Sequence, residues 1–525
     1  MHCESWKQRG IHAMKRIFKM MTSRLFIIGV MILLQIAWIV LFLADFSVRY
    51  SFVSAIINVI AIGLAFSVIT RWTNPSFKLS WVFFIMMVPI VGVPVSLIFG
   101  RPGLTRGTRK RMDAVNAKIE PYLTEDTQIT EDLRAGHPQA AMQSDYIWHA
   151  SHDPICGHTS SCYYKCGEEL FEAMLADIRR AEKYIFLEYF ILDTGEMYDT
   201  LVDELVKKVA EGVDVRLIYD DVGCINKMPP HFYRKLQEKG IKCAAFNPAR
   251  PVLAIIMNNR DHRKILTVDG KVSYTGGVNI ADEYINKIDR FGYWKDTGIR
   301  LEGKAAWSFT AMFLEMWDYI VGSESDCEAY LPDASFAEQI PTQGYVQPYD
   351  DTPLDNENVG ENIYLNMINR ATRYVYIFTP YLILDQEMTV ALCNAAKSGV
   401  DVRIVTPGIP DKKLVFFLTR SHYARLLENG VRIYEYTPGF LHAKCFVCDD
   451  EYATVGSVNL DYRSLYLHFE CGVFLYQSPV VAQVHTDMIE TFAVSREVQL
   501  SDCQRKHPFG MRMLHAFLRL IAPLL

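Results

Sequence analysis

Three long apolar stretches near the N-terminus dominate the hydropathy pattern of the chain. They cover residues 25–44, 52–70 and 79–100, and none of them contains a charged side chain. Each is long enough to cross a hydrocarbon layer of ~30 Å as a helix. The pattern therefore predicts a transmembrane region over residues 25–100, preceded by a basic N-terminal tail at residues 1–24.

Two alternatives remain open for these stretches. The first could be a cleaved signal peptide, although two further apolar stretches follow it and no small-x-small cleavage site is evident. The third contains Pro89 and Pro94, which would kink a membrane helix, and it could instead form a re-entrant hairpin. The positive-inside rule places basic clusters on the cytoplasmic side of a membrane. Such clusters precede the first stretch and follow the third, and three crossings would put them on opposite sides, so the rule does not decide the orientation. We expect the catalytic part, which follows the apolar stretches, to lie in the cytoplasm.

A charged linker with some helical character is predicted at residues 101–150, and beyond it the pattern becomes α/β and is repeated. Each copy has the order helix, strand, helix, strand, and the tetrapeptide Val-Asp-Val-Arg occurs in both. The predicted elements cover residues 167–181, 184–191, 199–210 and 213–219 in the first copy, and 361–371, 374–383, 387–397 and 399–404 in the second. Such alternation favours an α/β fold with a mostly parallel sheet and helices on both faces.

The repeat predicts two tandem α/β domains related by a pseudo-twofold axis. Their predicted boundaries are residues 151–340 and 341–525, and the acidic, proline-containing stretch at 323–358 is the expected connector.

Composition narrows the function classes. The chain has 525 residues, of which 22% are charged and 50% hydrophobic, so it is foldable rather than disordered. A net charge of −6 argues against a protein that coats nucleic acid. The 12 cysteines are scattered rather than arranged as a dense disulfide framework, which is typical of a reducing compartment.

Both copies carry the same spaced set of polar residues. In each, an aspartate follows a histidine by seven positions, a glycine by fourteen and an asparagine by seventeen. One His-x-Lys pair carries no weight, but two copies with matched intervals at equivalent places in a repeat are a strong signal. The sets are His262, Lys264, Asp269, Gly276, Gly277 and Asn279, and His442, Lys444, Asp449, Gly456, Ser457 and Asn459.

These residue types suit a phosphodiester. A histidine and a lysine two positions apart on a strand project from the same face. Two such sets facing each other would form one pocket, in which lysines and the asparagines Asn279 and Asn459 hold the phosphate. One histidine can attack phosphorus while the other protonates the leaving oxygen. Asp269 and Asp449 belong to the catalytic motif, but each follows its strand as a turn residue does.

A nucleophilic histidine needs an acceptor on its other ring nitrogen to fix its tautomer. Asp296 and Glu470 are the candidates, because each is the last polar residue before a short apolar run. Either could instead be a surface carboxylate. Glu188, in the middle of a predicted strand, could line the cleft or belong to the core.

The paired motifs resemble the HKD motifs of the phospholipase D superfamily, and the flanking segments resemble its bacterial cardiolipin synthase branch. The resemblance extends from about residue 70 to the C-terminus. It departs from the family in an extra apolar stretch and at Asp350-Asp351-Thr-Pro353, where a Ser-Gly-Pro turn is common. The flanking segments are 89–94, 99–100, 186–190, 261–264, 292–297, 459–464 and 522–525.

The resemblance implies two phospholipase D-like α/β domains and a ping-pong reaction that needs no metal or other cofactor. In the family the first motif usually supplies the nucleophile, so His262 would attack phosphatidylglycerol, release glycerol and form a phosphatidyl-histidine. A second phosphatidylglycerol would then give cardiolipin. It also implies membrane and anionic phospholipids as partners, and no nucleic acid. A membrane-anchored hydrolase or nuclease with the same pocket is the alternative, whereas a scaffold would need a damaged motif.

Weaker candidate sites remain. Cys445 and Cys448 would face opposite sides of a strand, so a metal site there is not expected. The histidines and cysteines at 152–166 read mostly as loop residues, with zinc as the minor alternative. Residues 509–525 could form a basic amphipathic helix on a membrane surface or pack against the core.

Overall fold

The structure is a computed structural model that describes residues 51–71, 73–99, 106–248, 259–355, 357–503 and 517–524, with isolated residues between 30 and 41 and Met513. The predicted N-terminal tail lies outside the described residues, and so does the first predicted span apart from those isolated positions. The same holds for most of the predicted C-terminal amphipathic helix.

The N-terminal apolar region forms three packed helices, α1 (Ser51–Ile69), α2 (Pro75–Met87) and α3 (Pro89–Phe99). The chain reverses between α2 and α3, and Gly92 comes so close to α2 that an added Cβ would lie 2.5 Å from the carbonyl oxygen of Phe84. The prediction of one helix over 79–100 is therefore wrong, because the segment forms two helices in a hairpin; whether that hairpin is re-entrant in a membrane stays a prediction. The cause is local: Pro89 disfavours a helical conformation at the preceding residue, and Val88 has φ −137° and ψ 71°.

Within the residues described by the structure, no helix is both long and apolar enough to cross a membrane. The second predicted span corresponds to α1, and the third to the hairpin of α2 and α3. These helices share a small core that includes Ala61, Val68, Trp81 and Ile85.

The predicted charged linker folds against the rest of the chain from residue 106 onward. It forms α4 (Arg106–Ile119), a 3₁₀ turn (Glu120–Tyr122), α5 (Thr127–Gly136) and α6 (Pro138–Ser151). Met112 and Ile119 join a core with Phe186 and Trp317, whereas Leu133 and Ile147 join the core of the second half. A high charge content on the outer faces of these helices concealed their apolar inner faces.

The rest of the chain is a mixed α/β fold built on two large sheets. The first has the strand order β1-β9-β7-β6-β2-β3-β4, and the second β10-β17-β16-β15-β11-β12-β13-β18. The strands are β1 (Thr159–Tyr164), β2 (Tyr184–Tyr189), β3 (Asp214–Asp220), β4 (Lys242–Phe246), β5 (Arg260–Asp261), β6 (Lys264–Val268), β7 (Val272–Gly276), β8 (Tyr293–Lys295), β9 (Gly298–Gly303), β10 (Tyr345–Asp351), β11 (Tyr374–Phe378), β12 (Asp401–Pro407), β13 (Arg432–Tyr436), β14 (Gly439–Leu441), β15 (Cys445–Cys448), β16 (Tyr452–Gly456), β17 (His468–Tyr476) and β18 (Ser495–Glu497).

The prediction of mostly parallel sheets is wrong. Along these two strand orders, as far as the structure describes the chain, the parallel pairs are β2–β3, β3–β4, β11–β12 and β12–β13; the short β5 adds one more parallel pair with β17. The motif strands return through short turns instead, so β6, β7 and β9 pair antiparallel, as do β15, β16 and β17. Alternating helices and strands predicted the parallel part correctly, but tight turns such as 269–271 permit only antiparallel pairing.

The two sheets pack face to face through buried aliphatic side chains. Ile265 and Ile299 of the first sheet share one core with Val447, Val455 and Val473 of the second. Helices cover the outer faces. The helices after residue 151 are α7 (Gly167–Arg180), α8 (Glu196–Ala210), α9 (Asp221–Cys224), α10 (Phe232–Glu238), α11 (Ala306–Val321), α12 (Cys327–Tyr330), α13 (Ala334–Glu338), α14 (Val359–Arg370), α15 (Gln386–Lys397), α16 (Lys413–Glu428), α17 (Tyr462–Tyr466), α18 (Pro479–Ala493) and α19 (Leu500–Cys503), with 3₁₀ turns at Asp282–Ile285 and Ala522–Leu524.

We expect Gly92→Val to open the helical hairpin. The new side chain would overlap the backbone of α2 at Phe84 and Ile85, which cannot move aside as a flexible side chain can. Overpacking of this kind costs ~1–3 kcal/mol. Thermal unfolding and limited proteolysis of the detergent-solubilised protein should show the loss. Gly63→Ala is the control, since nothing lies within 4 Å of its added Cβ; equal stability of the two variants would contradict the close packing.

Candidate active site

Each motif histidine lies between a short strand and the motif strand that follows it. His262 stands between β5 and β6, and His442 between β14 and β15. Each backbone N–H donates to a carbonyl of the other half: His262 to Phe469 at 2.9 Å, and His442 to Lys295 at 2.7 Å. The two histidine segments therefore leave their own sheets and are fixed to the opposite half.

The short strands before the histidines make the same crossing. β5 pairs in parallel with β17, which places Asp261 beside Phe469. β14 pairs in parallel with β8, which places Leu441 beside Lys295. In both cases the next residue of the receiving segment is a carboxylate, namely Glu470 or Asp296.

Each histidine is held by the carboxylate of the opposite half. His262 Nδ1 lies 2.9 and 3.0 Å from the two carboxylate oxygens of Glu470, and His442 Nδ1 lies 2.7 Å from Asp296 Oδ2. All four side chains are buried, and both carboxylates are fully inaccessible. The two predicted orienting residues thus sit beside the two histidines, in a crossed arrangement that the sequence analysis did not assign.

In each motif, the residue that follows the glycine at position 276 or 456 contacts the carboxylate from its own half of the chain. A Cβ on Gly277 would lie 2.0 Å from Asp296 Oδ1, so only glycine fits there. At the equivalent position Ser457 donates its hydroxyl to Glu470 Oε2, and Ser464 donates to Glu470 Oε1. Sequence reasoning missed Ser464, because nothing in the local pattern links it to Glu470.

The two motif lysines are buried beside the histidines. Lys264 and Lys444 each donate to the backbone carbonyl of their own histidine, and Lys444 Nζ lies 2.9 and 3.1 Å from the ring nitrogens of His442. Burial disfavours the ammonium form and lowers the pKa of Lys264 to about 8 and that of Lys444 to about 7.

Burial and the nearby lysines keep the histidines neutral. The pKa of His262 is well below 6.5 because of burial, with further lowering by Lys264 and Lys444. Burial and Lys444 likewise lower the pKa of His442 to about 4, although Asp296 opposes them. Burial resists ionisation of Asp296, but His442 and Lys444 lower its pKa below the ordinary value. Because Nδ1 of each ring faces a carboxylate, Nε2 is the nitrogen directed to a ligand, and in His442 it lies 3.1 Å from Lys444 Nζ.

The motif aspartates hold turns and do not face the histidines. Asp269 accepts the backbone N–H groups of residues 182, 183 and 184, at 2.8 Å each. Asp449 accepts those of residues 372, 373 and 374, at 2.6–2.9 Å. Both have a φ of 55°, in the left-handed region that aspartate tolerates. Their place in the catalytic motif is therefore structural.

The two predicted phosphate-binding asparagines differ in their surroundings. Asn279 accepts the Ile191 N–H at 3.0 Å and donates to the Tyr284 hydroxyl at 2.9 Å, so its amide already supports the pocket wall. Asn459 is also buried, but its Oδ1 has no hydrogen-bond partner among the residues that the structure describes. The amide of Asn459 is thus less committed to the protein than that of Asn279, and its Nδ2 group is the donor that could meet a phosphate oxygen.

Glu188 lies in the core, not in the cleft. It is fully buried and accepts from Arg263 Nε at 2.6 Å, on the opposite side of the motif strand from His262 and Lys264. Asp261 Oδ1 lies 3.8 Å from the same guanidinium nitrogen. Burial raises the pKa of Glu188, and Arg263 opposes that rise. The core interpretation of Glu188 therefore fits, and Arg263 serves as its counter-ion.

The rings around the two histidines are not alike. Phe190 and His468 flank His262, with ring centroids 5.0 and 5.5 Å away. At His442 the flanking rings, 5.4–5.8 Å away, are those of Tyr284, Trp294 and Phe440. His468 and Trp294 occupy the same place relative to their carboxylates, two residues ahead.

Among the described residues, one group of side chains has the spacing of metal ligands: His262, His468 and Glu470, whose donor atoms lie within 4.8 Å of one another. The histidines and cysteines at 152–166 do not form such a group, nor do Cys445 and Cys448. His262 and Glu470 already bond to each other, and the lysines beside them suit an anion better than a cation.

Comparison with known proteins identifies the family. The family described as "Cardiolipin synthase, PLD-like domain" matches residues 174–316 and 364–491, which bracket the two histidines in turn. The chain belongs to the cardiolipin synthase family. It is an enzyme of the phosphatidyltransferase class, and the resemblance drawn from the HKD motifs is confirmed.

Individual relatives match most of the chain. An uncharacterized protein of Streptococcus mutans is 43% identical over 85% of this chain and 96% of its own length. A cardiolipin synthase of Geobacillus kaustophilus is 35% identical over 89% of this chain and 92% of its own length. The crystal structure of a phosphatidylserine synthase of Haemophilus influenzae shares the fold, with a TM-score of 0.55, 14% identity, and coverage of 73% of this chain and 99% of that one.

When an anion binds to the site of this cardiolipin synthase family member, the protein should take up protons near neutral pH. A bound anion favours the charged forms of Lys264 and Lys444, whose pKa values in the free pocket are about 8 and about 7. At pH 7.5 the protein should therefore take up as much as about one proton when sulfate binds. Its affinity for sulfate should weaken as the pH rises from about 7 to about 9. Calorimetry in buffers of different ionisation enthalpy measures both quantities.

Two variants test the source of these protons. Lys444→Gln should reduce the uptake, whereas Lys165→Gln, at an exposed lysine, should leave it unchanged. Sulfate affinity that is independent of pH in the unmodified protein would contradict the assignment.

Proposed function

We propose that this protein is a membrane-bound cardiolipin synthase that joins two phosphatidylglycerol molecules, releasing glycerol, through a phosphohistidine intermediate. The observation that carries the proposal is the crossed pairing of His262 with Glu470 and of His442 with Asp296. That arrangement gives two fixed imidazoles in one buried pocket with two lysines, which suits a single phosphodiester.

In the first half-reaction His262 Nε2 attacks phosphorus, and the bond from phosphorus to the glycerol oxygen breaks. Burial keeps His262 neutral, so its Nε2 lone pair is available. Glu470 holds the Nδ1 proton and stabilises the positive charge that develops on the ring. Lys264 and Lys444, with Asn459, hold the non-bridging oxygens, and His442 gives its Nε2 proton to the leaving glycerol.

The second half-reaction reverses these roles. The head-group hydroxyl of a second phosphatidylglycerol gives its proton to His442 and attacks phosphorus, and the bond to His262 breaks. His442 has to be protonated at the start, although its pKa is about 4 in the free pocket. The phosphate charge of the donor raises that pKa, so the acid is charged only when substrate is bound. Assignment of His262 as the nucleophile follows the family resemblance.

The matching strand orders support two tandem phospholipase D-like domains related by a pseudo-twofold axis. Strands β1, β9, β7, β6, β2, β3 and β4 have counterparts, in the same order, in β10, β17, β16, β15, β11, β12 and β13. The crossed contacts of the two histidine segments are also equivalent pair by pair.

Attachment to a membrane is supported by the N-terminal helices. α1 has 19 residues with no charge, and large apolar side chains on these helices face outward, among them Phe52, Val59 and Phe66. Exposed apolar surface of this extent is typical of membrane or protein contact. The cysteines of the described part of the chain are all free, which favours a cytoplasmic position for the catalytic domains.

Phosphatidylglycerol alone should suffice as donor and acceptor. The purified protein in vesicles should release glycerol and form cardiolipin with little phosphatidic acid, because lipid head groups reach the buried pocket at high local concentration. EDTA should leave the rate unchanged, since the lysines supply the charge. Lipid analysis and a glycerol assay measure this; phosphatidic acid as the dominant product would make the protein a hydrolase.

The two histidines should be separately indispensable. We expect His262→Ala and His442→Ala each to reduce turnover to below about 1% at unchanged thermal stability, since attack and protonation each need a fixed imidazole. Acid quenching with labelled phosphatidylglycerol and peptide mapping should place the label on residue 262. His485→Ala, remote from the pocket, is the control. Label on His442 would reverse the assigned roles.

A further inference from the structure

The N-terminal hairpin contacts the catalytic half next to the pocket, through the start of α2. Asn74 caps this helix and donates its Nδ2 to the Tyr466 hydroxyl at 2.7 Å and to Asp385 Oδ2 at 2.8 Å. Phe77, one turn along, packs edge-on against the rings of Tyr462 and Tyr466, with centroids 5.6 and 5.5 Å away.

Both tyrosines belong to α17, a helix of only five residues. A helix of this length has little stability of its own and depends on side-chain contacts. Tyr466 also places its hydroxyl 2.8 Å from Glu361 Oε1, so the α17 C-terminus is held by Asn74, Asp385 and Glu361 together. The N-terminus is capped by Asp461.

Between the two tyrosines lies Ser464, whose side chain points to the catalytic carboxylate. The Ser464 hydroxyl donates to Glu470 Oε1 and accepts the backbone N–H of Asn459 at 3.0 Å. Glu470 in turn holds His262 Nδ1. A continuous chain of direct contacts thus runs from the hairpin through α17 to the histidine.

We propose that Asn74 and Phe77 are positioning residues for catalysis: the hairpin holds α17, α17 holds Ser464 on Glu470, and Glu470 sets the ring of His262. The inference rests on the proposed phosphatidyl transfer. The hairpin then has a second task beyond attachment, since Asn74 and Phe77 of the docked hairpin add to the contacts that hold α17 in place.

A positioning contact and a passive membrane anchor affect different kinetic parameters. An anchor determines how often substrate is met, which affects KM, whereas a positioning contact determines the geometry of attack, which affects kcat. A displacement of His262 by a fraction of an ångström suffices, because a shift of about 1 Å can cost a factor of about 100 in rate.

The experiment is a double-mutant cycle between Phe77→Ala and Ser464→Ala, in mixed micelles of detergent and phosphatidylglycerol. Each single variant should lower kcat for glycerol release by about tenfold with KM changed less than about twofold. The double variant should lose little more than either alone, because both act on the same carboxylate. Asn74→Ala should behave like Phe77→Ala, and Phe77→Tyr should restore most of the rate.

Controls separate positioning from folding and from the proposed function. Phe83→Ala removes an exposed ring of the same helix and should leave kcat unchanged. Thermal unfolding shows whether a variant is folded, and the milder Phe77→Leu serves if Phe77→Ala is not. Glycerol is released whether a lipid or water is the acceptor, so this assay measures the first half-reaction in either case. A finding that the protein is a hydrolase would therefore overturn the proposed function and leave the positioning role intact. Unchanged kcat in folded Phe77→Ala, or additive losses in the double variant, would overturn the positioning role.

Discussion

The whole site depends on an exchange between the two halves of the chain: each half supplies the carboxylate that holds the histidine of the other. Glu470 bonds to His262, and Asp296 bonds to His442. A buried ring nitrogen without an acceptor would cost ~1–3 kcal/mol, and the ring would be free to turn away from phosphorus. The short strands β5 and β14 leave their own sheets to make this exchange. Neither half contains a complete site, so the face-to-face packing of the sheets is a condition for chemistry as well as for stability.

The same burial that fixes the histidines leaves the pocket short of positive charge until an anion arrives. Burial lowers the pKa values of His262 and His442 and brings those of Lys264 and Lys444 to about 8 and about 7. A phosphodiester reverses the balance, because its charge favours the protonated lysines and a protonated general acid. In the proposed reaction the substrate therefore completes the electrostatics of the site, and a neutral ligand of the same shape would leave the general acid uncharged.

How much of the fold and of the site can be predicted depends on how far apart in the sequence the contacting residues lie. The interval from His262 to Asp269 spans one strand and its turn, so the motif and the turn role of Asp269 follow from local geometry. The crossed partners lie 208 and 146 positions away from their histidines, and nothing local distinguishes them from the uncrossed choice. Mostly parallel sheets were predicted because helices and strands alternate, but the strands that carry the motifs turn back through short hairpins. The single helix over 79–100 was predicted from hydropathy alone, which carries no information on the chain reversal at Val88.

Equal intervals in the two motifs conceal a difference in how each carboxylate is supported. Asp296, the shorter side chain, lies against the bare α-carbon of Gly277, whereas Glu470 reaches further and receives the hydroxyls of Ser457 and Ser464. The two hydroxyls fix the Glu470 carboxylate at the place where it meets His262 Nδ1. The additional donors fall on the partner of the proposed nucleophile, and one of them is carried by α17. The support of His262 thus extends beyond the two motifs to a helix that the N-terminal hairpin contacts.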